Sequence, residues 1–445
     1  MKKAALYNLG CKVNAYETEA IQQMLQKNNY EIVPFTQKAD IYIINTCTVT
    51  NIADKKSRQI LHRARRMNPE AIVVAMGCYV EAGEERVLYD QGIDILIGNE
   101  KKNKVLTILE QYIRGEKEGK DSLKEEESIE NVKKYGDMFL EETKTHTRAY
   151  IKIQDGCNQF CSYCIIPYVR GRVRSREKKS ILKEVENLAK KNYKEIVLTG
   201  IHLSSYGSDL EGGKKGESLL DLIEALHNIE GLKRIRLGSL EPGIIKEEFV
   251  KKLKGYNKLC PHFHLSLQSG CDATLKRMNR QYTTGEYYEK VNLLREEFFD
   301  PAITTDVIVG FPKETEEEFQ TTYEFLEKIC LYEMHVFKYS KRQGTKAASM
   351  EGQVQEAVKT KRSSQLLFMA KNNKKAFQER YRGKKVAVLF EESLVTDGIS
   401  HQTGYTREYI KVKYNGHKNY INQIVEGRIL PEEDGDVPVF EPFMH

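Results

Sequence analysis

Cys157, Cys161 and Cys164 stand four and three residues apart in the run CNQFCSYC. Thiolates that close on one loop can wrap one face of an iron–sulfur cubane, and a cluster of four irons ordinarily takes four cysteines. Three cysteines leave one iron without a protein ligand. Such an iron can be chelated by the amino and carboxylate groups of S-adenosylmethionine. An electron delivered there can cleave the sulfonium bond and release a 5′-deoxyadenosyl radical. The radical chemistry then belongs to the cofactor, and the chain supplies position and exclusion of water. The competing reading is a zinc site whose fourth ligand is His202 or His146. Zinc sites favour paired CxxC spacing, which weighs against it.

Cys11, Cys47 and Cys78 are 36 and 31 residues apart, so spacing alone says nothing about them. Context says more, because they close the segments YNLGC, IINTC and VAMGC, each just beyond an apolar, strand-like run. In a doubly wound parallel sheet the carboxyl ends of the strands converge on one crevice, where ligands bind. Gly10, Gly77 and Asn45 suit tight turns in which backbone approaches a ligand. Three thiolates converging there describe a second cluster with one iron unfilled. The alternative is that buried cysteines act as small apolar core residues, which is how Cys260, Cys271 and Cys330 read. Nine cysteines, an odd number, in a chain without a recognisable export signal argue against structural disulfides.

The elements that must position these residues follow from periodicity. At ~150 residues per domain, 445 residues suggest about three domains. Residues 1–100 alternate strands (4–9, 41–45, 71–76, 94–98) with helices (17–27, 52–67, 82–89), which predicts a small doubly wound parallel sheet. Residues 101–145 hold a helix near 102–113 and a Lys/Glu-rich, Gly-punctuated stretch, 115–144, expected to be a mobile or extended linker. The alternation restarts in residues 146–375. Strands are expected at 149–154, 195–199, 234–239, 262–268, 303–309 and 334–339, with helices at 180–191, 218–229, 246–253, 287–297 and 314–329. A closed β/α barrel needs eight strands, so six predict an open, partial barrel. The cysteine loop follows its first strand, on the carboxyl-end face where such barrels build their sites. After a basic helical stretch, residues 376–445 show short strands at 386–390, 409–412 and 427–430. They predict a small antiparallel barrel of the oligonucleotide-binding sort. The class is therefore α/β with three domains.

The net charge of +6 is a mild basic excess, compatible with an RNA partner. No apolar run approaches the ~20 residues of a membrane span. The amino-terminal apolar stretch, 4–7, is shorter than the ~7–15 residues of a secretion-signal core. A cytoplasmic protein without a membrane partner is expected.

Together these motifs resemble the radical-SAM methylthiotransferases over nearly the whole chain. The segments that carry the resemblance are LYNLGCKVNAYE, NTCTVTNIADKKSRQ, MGCY, GCNQFCSYCIIPYVRGRVRSR, LTGIHLSSYG, RLGSLEP, HLSLQSG, TDVIVGFPKET and FKYSKRQGT. The family inserts a sulfur and then a methyl group at an unactivated carbon. Its terminal barrel is called TRAM. The resemblance implies that Cys157, Cys161 and Cys164 hold a radical 4Fe-4S cluster and that Cys11, Cys47 and Cys78 hold an auxiliary one. Tyr163, Thr199 and Gly200 would help seat S-adenosylmethionine. Glu241, Gln268 and Asp306 would face the same cavity, or else serve as buried polar residues closing the barrel. An electron donor and a sulfur source are implied as partners but not identified.

Family substrates are tRNA adenosines next to the anticodon and an aspartate of a ribosomal protein. CTVTNIADKKSRQ resembles the branch acting on N6-threonylcarbamoyladenosine; the isopentenyl-adenosine branch more often has arginine where Thr50 stands. The product would be 2-methylthio-N6-threonylcarbamoyladenosine in the anticodon stem-loop. The remaining alternative is a non-catalytic iron–sulfur carrier or RNA-binding module, which the open-iron triplet opposes. Three basic features bear on tRNA. One is the run Lys55, Lys56, Arg58, Arg63, Arg65 and Arg66. Another is Arg170, Arg172, Arg174 and Arg176, which would share one face if extended and could clamp phosphates. The third is Tyr405, Arg407 and Tyr409, suited to stacking and backbone contact.

Overall fold

The computed structural model describes residues 1–83, 85–116, 129–142, 147–210, 218–396, 399–430 and 437–443. The amino-terminal part is built on five parallel strands, β1 Lys3–Asn8, β2 Glu31–Ile32, β3 Ile41–Thr46, β4 Ile72–Gly77 and β5 Ile95–Ile97, in the order β2-β1-β3-β4-β5. This is one of the two common doubly wound orders. Because strand side chains alternate, Ile41 and Ile43 meet the helix α1 (Lys12–Lys27) on one face. Tyr42 and Ile44 meet α2 (Asn51–Met67) on the other. A sheet covered on both faces explains the unbroken apolar run IYII. The expected helix at 82–89 is instead two single turns, α3 Cys78–Glu81 and α4 Glu85–Leu88. Helix α1 starts five residues earlier than expected, at Lys12. Its first turns bury Asn14, Glu17 and Thr18 against other parts of the chain, so polar residues stand where periodicity looks for apolar ones.

Helix α5 (Val105–Ile113) completes the α1 face of the sheet through Val105 and Leu109. Residues 129–142, expected as mobile or extended, are extended and packed down. Met138 and Leu140 are buried, Tyr16 donates to the Met138 carbonyl (2.6 Å), and the Leu140 amide donates to Glu184 (2.8 Å).

The central part has the six expected parallel strands: β6 Ala149–Asp155, β8 Glu195–Gly200, β9 Arg234–Leu237 continuing as β10 Ser239–Leu240, β11 His262–Leu265, β12 Ala302–Val309 and β13 Glu333–Lys338. A two-residue strand, β7 Arg174–Ser175, lies antiparallel on β6. The sheet runs β6-β8-β9 and then β10-β11-β12-β13, joined where the Cys260 amide donates to the Ile235 carbonyl (2.9 Å). After the single turn α6 (Ile166–Val169), the helices α7 Lys178–Lys190, α8 Leu219–His227, α9 Glu247–Lys254, α10 Asp272–Arg277, α11 Thr284–Glu297 and α12 Glu316–Ile329 follow, most of them covering the outside. Capping boxes at Ser218/Asp221, Thr283/Glu286 and Thr315/Glu318 start α8, α11 and α12 by satisfying orphan amides. No ladder joins β13 to β6 among the described residues. The amino-terminal part spans that gap. Helix α1 packs on β6, while Asn51 donates to the Lys341 carbonyl (3.0 Å) and Arg342 pairs with Asp54 beyond β13.

A long helix, α13 Glu356–Arg380, runs through the boundary expected at 375. It leads to β14 Lys385–Thr396, β15 Ile399–Thr406, β16 Lys411–Tyr414, β17 Ile424–Ile429 and β18 Phe440–Pro442, antiparallel in the order β16-β15-β14-β17-β18. The Lys413 amide donates to the Pro438 carbonyl (3.0 Å), drawing the two edges together. The expected strand 409–412 begins later, because Tyr409 sits in a turn with φ +68°. Strand β15, ISHQTGYT, went unrecognised because its polar residues hide the alternation.

This domain plugs the amino ends of the barrel strands. Arg234 donates to the carbonyls of Tyr405 (3.0 Å) and Ala387 (2.7 Å), and Arg236 to those of Arg407 (2.9 Å) and Thr406 (3.2 Å). Tyr405, Arg407 and Tyr409 therefore do not form the open RNA surface expected of them. Arg407 donates to the Asn257 and Leu259 carbonyls, and Tyr405 and Tyr409 stack on each other beneath Arg148.

Candidate active site

Strand β6 ends at Asp155 and the chain turns at Gly156 into the first cysteine loop. Gly156 has φ +72°, and a Cβ there would lie 1.8 Å from the Arg172 carbonyl oxygen. Only glycine fits both demands. The loop is pinned from several sides. The Cys157 amide donates to Gly171 (3.0 Å), the Cys164 amide to Cys161 (2.9 Å), the Ser162 amide to Met278 (3.0 Å), and the Asn279 side chain to Phe160 (3.0 Å). We expect Gly156→Ala to open this loop and to cost the iron of one four-iron cluster, about four per chain, after anaerobic reconstitution. Iron analysis of the purified variant reads this directly, and an unchanged content would contradict it.

Burial pushes the thiols of Cys157 up to about 11 and of Cys164 up to about 12, so as free side chains they are neutral near pH 7. Thiolates in such surroundings need a metal's charge to form. Cys161 has its own cation. Arg280 donates from Nη1 to its Sγ (3.1 Å) and from Nη2 to Glu241 (2.5 Å). Sequence reasoning missed Arg280, which is 119 residues from Cys161 in the chain and stands in a polar run, MNRQY, without a distinguishing pattern.

The second trio also lies at strand ends. Cys11 caps the start of α1, Cys47 follows β3, and Cys78 opens α3 directly after β4. A Cβ on Gly10 would come within 3.0 Å of both Cβ and Sγ of Cys47, so the glycine is what lets these two turns meet. A Cβ on Gly77 would stand 2.7 Å from the Asn45 side chain. Burial pushes the Cys47 thiol up to about 11, and both Cys78 and Cys11 are close enough to add to that shift.

The two trios share one region. Cys78 packs against Ile165 and Val169, immediately after Cys164. Between them runs Arg170, whose Nε donates to Cys78 Sγ (3.3 Å) and whose Nη atoms reach Asn14, Glu17 and Asp155. Glu17 and Asp155 are two buried acids. Lys102 (2.6 Å from Glu17), Lys152 (2.7 Å from Glu17 and 2.6 Å from Asp155) and Arg170 are three buried bases around them. A Cys78 thiolate would bring the count to three of each sign. Burial by itself would raise the Glu17 carboxyl, but Lys102, Lys152 and Arg170 outweigh it and hold the group well below the usual range.

The arginine series departs from expectation. Arg170, Arg174 and Arg176 are 1%, 4% and 0% exposed, and only Arg172 faces solvent, over the Phe160 ring. The segment is not a continuous strand, because α6 and the turn at Gly171 interrupt it. Arg176 pairs with Glu184 and donates to Tyr16 (3.1 Å). Arg170 and Arg176 join the amino-terminal and central parts, Arg174 donates to the Arg170 carbonyl (2.9 Å), and these three are buried. On α2, by contrast, Lys55, Lys56, Arg63 and Arg66 are exposed.

Of the residues expected around S-adenosylmethionine, Tyr163 lies within the first cysteine loop with its ring edge against Phe311. Thr199 and Gly200 end β8, where a Cβ on Gly200 would lie 2.9 Å from the Gln154 side chain. Glu241 bonds Arg280 as above. Gln268 has φ +71°, and its amide donates to the Asp306 carbonyl (2.9 Å). The Asp306 carboxylate lies 3.3 Å from His264 Nε2. All come from the carboxyl ends or inner faces of successive strands.

The zinc alternative fares poorly. Tetrahedral Zn–S bonds of ~2.3 Å would place sulfurs within ~4 Å of one another. Among the described residues neither cysteine trio brings its ligand atoms within 4.8 Å. The His202 Nδ1 meets Ser205 (2.6 Å) and its Nε2 faces Glu241 at 3.9 Å; His146 lies outside the described residues. No helix among the described residues is long and apolar enough to cross a membrane.

An open β/α barrel with a three-cysteine loop after its first strand defines a radical-SAM enzyme, and residues 151–326 match the radical SAM superfamily. Residues 3–98 match the uncharacterized protein family UPF0004. The threonylcarbamoyladenosine tRNA methylthiotransferase MtaB of Bacillus subtilis (strain 168) is 40% identical, covering 97% of this chain and 94% of its own. The protein of the same name from Aquifex aeolicus is 40% identical over 94% of this chain and 97% of its own. The Clostridium tetani tRNA-2-methylthio-N(6)-dimethylallyladenosine synthase is 36% identical over 94% and 92%. Among solved structures, the radical S-adenosylmethionine methyltransferase TsrM from Kitasatospora setae has a TM-score of 0.55 at 17% identity, covering 76% of this chain and 73% of its own, and shares the fold. The chain belongs to the tRNA methylthiotransferase family of radical-SAM enzymes.

Proposed function

We propose that the protein adds a methylthio group to C2 of N6-threonylcarbamoyladenosine next to the anticodon of tRNA, in the cytoplasm, using two 4Fe-4S clusters and S-adenosylmethionine. The single observation that carries the reading is that Cys78 of the second trio packs on Ile165 and Val169, which follow Cys164 of the first, and accepts a hydrogen bond from Arg170. Cys157, Cys161 and Cys164 would hold one cluster with S-adenosylmethionine on its open iron, and Cys11, Cys47 and Cys78 the other. When bound, the first group supplies the 5′-deoxyadenosyl radical and the second carries or supplies the sulfur.

The chain's own residues set the conditions. Arg280 and Arg170 each place a guanidinium against one cysteine sulfur, so each trio has a fixed counter-charge. Glu241 holds Arg280 in place. Tyr163, Thr199, Gly200 and Gln268 line the approach to the first trio. The carboxy-terminal sheet closes the barrel's far end. An external electron donor and a sulfur source complete the set of partners.

The branch rests on the 40% identity to the threonylcarbamoyl enzymes and on Thr50. Thr50 caps α2, accepting from the Ala53 amide (3.1 Å), a bond that arginine at that position would not make. Mass spectrometry of tRNA nucleosides from cells lacking the protein tests the assignment. The expected result is loss of the methylthio-threonylcarbamoyl nucleoside alone. Loss of the methylthio-isopentenyl nucleoside would overturn it.

A further inference from the structure

Lys12 directly follows Cys11, and its electrostatic partners lie on the barrel and the carboxy-terminal domain. It lies within electrostatic reach of Asp306 on β12, of Arg148 and Arg236 at the foot of β6 and on β9, of Tyr409 from the carboxy-terminal domain, and of His262 on β11. These come from the inner faces and amino ends of the barrel strands, so the ammonium stands inside the arc. Its neighbouring cations are committed: Arg148 to Glu391 (2.5 Å), and Arg236 to Glu195 (2.7 Å) and two carbonyls. Lys12 is exposed and makes no hydrogen bond or ion pair with any described residue.

Facing the same space, His264, Asp306 and His335 each offer a side-chain atom within 4.8 Å of the others. The His264 and His335 rings stack at 5.8 Å, and His264 is oriented from behind by Thr304 (3.0 Å). His335 is exposed, and Phe337, next on that face of β13, is 50% exposed. Asp306 thus links the imidazole pair to the ammonium of Lys12.

We infer that this space receives the N6 substituent of the substrate base, with Lys12 as the partner of its carboxylate and His335 as a second donor to it. The inference rests on the substrate reading given above. A threonylcarbamoyl group carries a carboxylate that loses water on entering such a space and needs a cation there. An isopentenyl group would strip water from Lys12 and return nothing, so the same residue selects for the anionic group and against the apolar one. Lys12 is thus a specificity residue for the family reaction.

The test measures binding of three anticodon stem-loops to the reconstituted full-length protein. One carries threonylcarbamoyladenosine, one isopentenyl-adenosine and one plain adenosine. Wild type is expected to prefer the first. Lys12→Gln should reduce that preference about tenfold or more, Lys12→Arg should retain most of it, and His335→Leu should lose part of it. Iron content and the cluster absorption band serve as the check on folding in every variant. No preference in wild type would sink the substrate reading itself. A wild-type preference that persists in Lys12→Gln with full iron content would sink the role given to Lys12 and leave the substrate reading standing.

Discussion

Alanine in place of any one of Cys157, Cys161 or Cys164 is expected to end reductive cleavage of S-adenosylmethionine and all methylthio product. Activity should fall to less than about one-thousandth of wild type, equivalent to more than ~4 kcal/mol of barrier. These variants should still bind about four irons, held by the other trio. Alanine at Cys11, Cys47 or Cys78 should give the mirror result: about four irons, S-adenosylmethionine still cleaved to 5′-deoxyadenosine, and no sulfur inserted into tRNA. The two sets are separable because the trios stand on different domains, one after β6 and the other on the ends of β1, β3 and β4. Chromatography of 5′-deoxyadenosine beside iron analysis distinguishes them. Equal loss of cleavage from both sets would refute the division of labour.

The second large effect belongs to Arg170. Replacing it with methionine removes one buried charge from a network in which Glu17 and Asp155 then keep Lys102 and Lys152 as their cations. Breaking a buried ion pair from one side costs about 3–5 kcal/mol, and here the charge left uncompensated would be a Cys78 thiolate, since the two acids still balance the two lysines. A large part of the stability of a typical domain would go. Arg170→Lys keeps the charge but cannot reach Cys78, Asn14 and Asp155 together, so it should fall between wild type and methionine. Denaturant unfolding of the three proteins gives the ranking. A methionine variant within ~1 kcal/mol of wild type would show the network to be dispensable.

These two predictions mark how far the sequence could be read. The strand-end positions of Cys11, Cys47, Cys78 and the Cys157 loop were legible because each closes an apolar run. The barrel strands were legible for the same reason: Ile151, Ile196, Ile235, Phe263 and Val307 all point into one outer core, and the chain spells that core in short apolar bursts. The arginines were not legible. Arg170 to Arg176 look like a phosphate clamp when only their spacing is known, since a basic series carries no mark of whether Glu17 or Glu184 will be folded against it. Arg280 and Cys161 are neighbours only through the turn after α10. Tyr405 and Arg407 mix ring and cation in a way that suits a nucleobase or a protein groove equally well, and here the groove is Asn257–Leu259. Strand β2 escaped notice at two residues, too short for any alternation to show.

The manner in which the carboxy-terminal sheet is fastened has an evolutionary corollary. Arg234 and Arg236 grip main-chain oxygens of residues 387 and 405–407, and every amino acid supplies such an oxygen. Apart from Tyr405 and Arg407, whose side chains also seat the joint, the outward-facing residues of the appended sheet can change while its placement relative to the reaction chamber stays constant.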